Sequence, residues 1–204
     1  MSEQIDFTEM YVTHDAFRRD LARLEAAASA GRAGAPKVRE GWENFKVQLL
    51  VHHSVEDASL WPPLVELVRY RPEALALLKE MEAEHARLDP LLAEFDEALD
   101  AGAADLLDRA KRIADVLGQH LEHEENEALP LIQSVLTPAD WRVFGRAMAR
   151  RQGVRGAAVW VPWIVDGLAP GEQRSFLSRL PAPVRALNRL VWAPRYRARH
   201  LWEF

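Results

Sequence analysis

Apolar residues recur at helical spacing through the first two thirds of the chain. Met10, Phe17, Leu21 and Leu24 form one stripe, with Arg18, Arg19, Asp20 and Arg23 between them, and predict a helix from Thr8 to Ala30. Gly31 and Gly34 close it, and Pro36 suits the first position of the next helix. That second helix runs through Trp42, Phe45, Leu49 and His52, and Pro62-Pro63 must disturb it, because proline lacks a backbone donor. Pro72 opens a third helix through Leu75, Leu78, His85, Leu88, Leu92 and Phe95, ending near Gly102. A fourth starts near Ala103, carries Leu107, Ile113, Leu117, His120 and Glu124, and meets Pro130 at its far end. No stretch before Thr137 alternates like a strand. The expected fold is all-α: an up-down-up-down four-helix bundle over residues 8–135.

The pattern changes beyond Thr137, a candidate helix cap followed by Pro138. Ala139–Arg151, an apolar Ala157–Val165 interrupted by Pro162, Pro170–Leu180 and Pro183–Trp192 read as shorter helices. Residues 138–204 hold 12 of the 26 Lys+Arg but only 4 of the 31 Asp+Glu, a formal +8; this leaves −13 on the first 137 residues and −5 overall. Five of the 7 Trp fall there as well. A basic, Trp-rich helical extension packed on an acidic bundle is the simplest reading. Dimerisation through Trp160-Val161-Pro162-Trp163 is a second. A third is attachment to an anionic membrane or nucleic acid through Arg195, Arg197 and Arg199, and the net acidity argues against nucleic acid.

With no cysteine in the chain, thiolate metal sites and cysteine nucleophiles are excluded. Imidazole and carboxylate remain as strong ligands, a set suited to iron, zinc or manganese. Met1–Glu9 is acidic and lacks the apolar core of a signal peptide. The apolar run 156–165 is too short to span a bilayer, so the expectation is a cytoplasmic protein without a transmembrane segment.

The two bundle halves repeat one another. His14 precedes His52 by 38 residues and His85 precedes His120 by 35, and each second helix carries His-x-x-x-Glu: His52 with Glu56, His120 with Glu124. Residues four apart share a helix face, so imidazole and carboxylate point the same way. A lone histidine is usually a satisfied core or surface residue. Four of them, one per helix and each in an apolar stripe, would be costly to bury with two carboxylates unless a metal took their lone pairs. Glu56 and Glu124 come from opposite hairpins, and each has two oxygens, which describes a dinuclear centre with bridging carboxylates. A ferritin-like set requires Glu-x-x-His twice, whereas Glu82-x-x-His85 fits once and Leu117 occupies the equivalent slot before His120. No His-Glu-x-x-His of a zinc hydrolase is present.

The pattern His14, His52-x-x-x-Glu56, His85, His120-x-x-x-Glu124, with Asp57 or Glu125 and then Pro62 or Pro130 trailing, resembles the hemerythrin-like (HHE cation-binding) family. The resemblance implies two iron ions in a non-haem, oxo- or hydroxo-bridged centre. It also implies chemistry with dioxygen, peroxide or nitric oxide. The oxygen-carrying members place another histidine four residues before His85, where this chain has Met81. His53 is the candidate replacement, because adjacent helix positions diverge by about 100° and reach different metals of a pair; its alternative is a hydrogen bond to Asp57. The candidate ligands are thus His14, His52, His53, Glu56, His85, His120 and Glu124. Asp57, Glu125 and Glu82 are candidate partners of the ligand imidazoles, Tyr11 a candidate proton donor, and His123 a neighbour of the site. His200 belongs to the tail. Three functions follow: binding or sensing of dioxygen or nitric oxide, oxidoreductase catalysis with peroxide or oxygen, and iron handling. The loss of a histidine to Met81 argues against pure carriage.

Overall fold

The computed structural model describes residues 4–204, so the first three residues of the acidic arm lie outside the described residues. The structure is all-α, with no strand among the described residues. Four long helices form the bundle: α1 (Thr8–Ser29), α2 (Pro36–Ser59), α4 (Pro72–Ala101) and α5 (Leu106–His123), with a short α3 (Trp61–Leu67) between α2 and α4. α1 packs on α2 and α5, and α4 packs on the same two, which closes a ring of four. The joints are short and have local causes. Gly31 takes a left-handed φ of 66° and lets the Arg32 amide return to the Ala27 carbonyl. Gly102, with φ 64°, ends α4 in the same way.

The prolines after each Glu motif act differently. In the first half α2 stops at Ser59 and the chain restarts as α3, with Trp61 and Leu64 fully buried. In the second half the helix continues through one π-helical turn, Glu124–Ala128, into α6 (Leu129–Val135). The wider turn brings the Leu129 amide to the Glu124 carbonyl immediately before Pro130, whose missing donor would otherwise interrupt the ladder.

α7 (Pro138–Ile164) opens with Thr137 and Asp140 in a reciprocal capping box. It breaks at Gly153, where φ is 59° and ψ −178°, and runs through Pro162. The interruption expected at Pro162 is therefore at Gly153. The fixed φ of proline is helical, whereas the backbone at Gly153 is in a region open mainly to glycine. α8 (Pro170–Ser178), α9 (Ala182–Leu187), a second π-helical turn (Asn188–Trp192) and α10 (Ala193–Arg197) follow. Trp163, Phe176, Tyr196 and Trp202 lie in one apolar cluster with Phe17, Leu21, Trp42 and Phe45 of the bundle.

A buried charge network accompanies this packing. Asp20 is fully buried; it accepts from the Trp163 indole at 2.7 Å and pairs with Arg19 at 2.9 Å. Arg19 also donates to the carbonyl oxygens of Trp163 and Asp166, and Arg23 reaches the Asp166 carboxylate at 2.8 Å. At the chain's end, the Trp202 amide donates to the Lys37 carbonyl while its ring lies on Gly41. A Cβ at Gly41 would stand 2.5 Å from that ring. Gly41→Ala should therefore cost roughly 1–3 kcal/mol despite the better helix propensity of alanine, measured by chemical denaturation. In a Trp202→Ala background the same substitution should be neutral or stabilising, and a persistent loss there would place its origin elsewhere.

Candidate metal centre

Each bundle helix changes chemistry halfway along its buried face. On α1, Met10 belongs to one apolar cluster and Phe17 to another, with His14 between them. The same order holds on α2 for Val55, Leu49 and His52, and on α4 for Met81, Leu88 and His85. On α5 and the π turn, Leu117 and Ala128 flank His120 and Glu124. One polar layer thus crosses the bundle between two apolar clusters. Its members are buried: His14, Glu56 and Glu124 expose 0%, His120 1%, His52 2%, His85 5% and His53 8%.

The imidazoles and carboxylates form two groups. His14, His52 and Glu124 offer atoms that all lie within 4.8 Å of one another, and so do His53, His85 and His120. Both glutamates run between the groups. Glu56 approaches His52 Nε2 at 3.2 Å with one oxygen and His85 Nε2 at 3.7 Å with the other. Glu124 lies 3.3 Å from His14 Nε2 and 4.0 Å from His120 Nε2. Nε2 of His14, His52 and His53 and all four oxygens of Glu56 and Glu124 are buried without a hydrogen-bond partner. Nε2 of His85 and His120 stand 3.1 Å apart. Lone-pair atoms aimed at shared points and left unpaired fit a pair of cations, whereas a structural polar core would pair them with one another.

The outward ring nitrogens are held by carboxylates, which fixes imidazole orientation. His14 Nδ1 meets Glu125 at 2.8 Å, and Arg18 in turn reaches Glu125 at 2.9 Å. His85 Nδ1 meets Asp57 at 2.8 Å. The residue after each central glutamate therefore supports the first-helix histidine of the opposite half. His120 Nδ1 meets Glu84 at 2.9 Å, and the other oxygen of Glu84 takes His123 Nδ1 at 3.0 Å.

Charge is distributed unevenly over this layer. Burial and the neighbouring imidazoles push His52 and His53 well below the ordinary histidine range, which keeps them neutral with their lone pairs available. Burial, with Glu124 and Asp57 nearby, raises Glu56 well above the usual carboxylate range. Burial acts the same way on Glu124, but His14 outweighs it and holds that carboxyl low. Burial opposes charge on His14 too, and there Glu124 and Glu125 prevail and raise it.

All seven candidate ligands predicted from sequence are brought together here. The alternative for His53, a bond to Asp57, is not formed: Asp57 bonds to His85, and the His53 ring stacks on His85 at 3.9 Å. Glu82 is exposed and supports no imidazole; the third carboxylate partner is Glu84. A signal for Glu84 was present, since it lies four and seven residues before Leu88 and Leu91 on the stripe that faces the core. His123 is a neighbour through Glu84, with 23% of its side chain exposed. Tyr11 is 43% exposed and is not among the residues gathered at the layer. Met81 is fully buried in the apolar cluster beneath it.

The family model of the hemerythrin HHE cation-binding domain matches residues 6–132. No curated protein and no solved structure matches the chain. The match takes in the four bundle helices, the π turn and every residue of the polar layer, and the chain belongs to the hemerythrin HHE cation-binding family.

Proposed function

We propose that His14, His52, His53, Glu56, His85, His120 and Glu124 hold two iron ions, with Glu56 and Glu124 each spanning the pair. When bound, such a centre supplies two redox-active metals that bind or react with dioxygen, peroxide or nitric oxide. The observation that carries this reading is the set of unpaired buried atoms on both glutamates and three histidines, which converge from four helices. Imidazole nitrogen together with carboxylate oxygen is a donor set that suits iron.

The two halves are unequal. His53 adds a third imidazole on the side of His85 and His120, whereas its counterpart in the other repeat is Leu121. The side of His14 and His52 has two imidazoles and is where a small exogenous ligand is accommodated. Asp57, Glu84 and Glu125 hold the outward N–H of three imidazoles, keep Nε2 facing inward and raise its basicity. The apolar clusters above and below exclude bulk water from the layer.

The deciding measurement is metal content together with the optical spectrum of the oxidised full-length protein, followed by peroxide or nitric oxide. Two irons per chain with oxo-to-iron charge-transfer bands are expected; a colourless zinc-loaded protein would overturn the reading. Glu56→Ala and Glu124→Ala should each abolish loading of the pair, and retention of two irons in either would refute its bridging role. His53→Ala should preserve the helical fold and change the spectrum, whereas an unchanged spectrum would remove His53 from the ligands. Imidazole and carboxylate bind a metal only in their deprotonated forms, so protons compete with loading. Metal titrations at several pH values should therefore find affinity falling as pH falls, and a pH-independent affinity would count against imidazole and carboxylate ligation.

A further inference from the structure

Three cavities meet between the first turn of α1, α7 and the turn joining α8 to α9, and Glu9 and Gly145 line all of them. The outermost, about 570 Å³, opens beside Arg142, Arg146 and Arg179. The second, about 270 Å³, is lined by apolar side chains that include Met148, Trp160, Leu180 and Val184. The third is a neck of about 40 Å³ that passes Thr13 and Met148 and ends on His52. Their shared lining sets the three side by side between the surface and His52, on the less crowded side of the polar layer. Gly145 faces open space there, since a Cβ built on it would meet nothing within 4 Å.

The polar groups of the cleft indicate its ligand. The Glu9 carboxylate remains open to the cleft although protein surrounds it, and it has no hydrogen-bond or ion-pair partner among the described residues. Burial raises its pKa, with Asp6 adding to the effect, as expected of a carboxylate that lacks a cation. Among the described residues no lysine or arginine lines the apolar chamber or the neck. At the mouth, Arg179 is already bound to Asp6, and Arg142 and Arg146 line the outer cavity but neither the chamber nor the neck. Gln152, the other polar side chain of the chamber, donates its amide to Gln48. One unpaired anion in an otherwise apolar chamber selects a cation with an apolar body.

We propose that this cleft binds a small organic amine, with its ammonium group on Glu9 and its compact apolar or aromatic body between α7 and the α8–α9 turn. Its position at His52 makes the amine the substrate class of the metal centre; that step rests on the function proposed above, whereas binding does not. Thr13, at the neck, is uncharged, and its hydroxyl donates to the Glu9 carbonyl, so Glu9 supplies the charge that holds the ammonium. The residues that set specificity are Glu9, Met148 and Trp160.

The test titrates the iron-loaded full-length chain with benzylamine, benzyl alcohol and benzoate at constant ionic strength, followed by calorimetry and ligand-observed NMR. Benzylamine should bind at least about tenfold more tightly than its neutral and anionic analogues, the range for a hydrogen bond to a charged group. Glu9→Gln should remove that preference while leaving benzyl alcohol binding and metal content unchanged. Gly145→Phe should block all three ligands, with the helical content checked by circular dichroism. Equal affinities in the wild-type chain, preference for benzoate or an amine preference that survives Glu9→Gln would overturn the proposal. If the chain holds no metal but shows the Glu9-dependent preference, the cleft stands and the di-iron reading fails. If two irons load and benzylamine does not bind, the cleft alone fails. Benzylamine should also perturb the visible spectrum of the loaded protein, and Glu9→Gln should remove that perturbation at the same ligand concentration.

Discussion

Lone pairs that have been withdrawn from water and given no donor set the terms on which this chain folds. Seven buried nitrogen and oxygen atoms of His14, His52, His53, Glu56 and Glu124 face inward unpaired. Each such group costs on the order of one to several kcal/mol, more where it is ionised. The apolar clusters on either side must supply that energy from the burial of side chains such as Phe17, Trp42, Phe45 and Phe95 on one side and Trp61, Leu64 and Ile132 on the other. The bundle therefore keeps an internal layer that is unfavourable by itself, and a bound cation would make it favourable. Part of the folding free energy is in effect reserved for ligand binding, as in proteins whose metal site is also a stability site.

The internal repeat explains how so few residues achieve this. A carboxylate from one half serves an imidazole of the other twice over: Asp57 supports His85, and Glu125 supports His14. The central glutamates cross in the same sense. Neither hairpin completes its own site, and the polar layer exists only when both are docked. The departures from this symmetry are as informative as the symmetry itself. His53 stands opposite Leu121, and a helix break at Leu60 stands opposite a π turn at Glu124.

Sequence spacing carried the layer and the bundle because both rest on periodicity. The intervals His14–His52 and His85–His120, and the two His-x-x-x-Glu steps, are local facts that survive folding unchanged. Contacts set by the relative rotation of helices were less visible. Glu84 and Glu82 lie two residues apart on one helix; the spacing of Glu84 to Leu88 and Leu91 was a weak signal, and the docking of α5 shows that Glu84 is the one that reaches His120. The tail behaved similarly: its helices were legible from their prolines, yet the break lies at Gly153, whose backbone takes a conformation open mainly to glycine, and not at Pro162. The approach of Trp202 to Gly41 had no signal beyond the presence of both residues.

Phe17 touches both worlds of the molecule. Its ring packs at 5.4 Å from His52 and at 5.3 Å from Trp163, which Asp20 and Arg19 hold in place. One aromatic side chain is thus a shared wall between the imidazole layer and the segment that follows Thr137. A shared wall makes order on one side count towards order on the other, and thermodynamic linkage requires the effect to be mutual. A change in order at His52 would therefore be felt at Trp163, and the converse holds by the same contact.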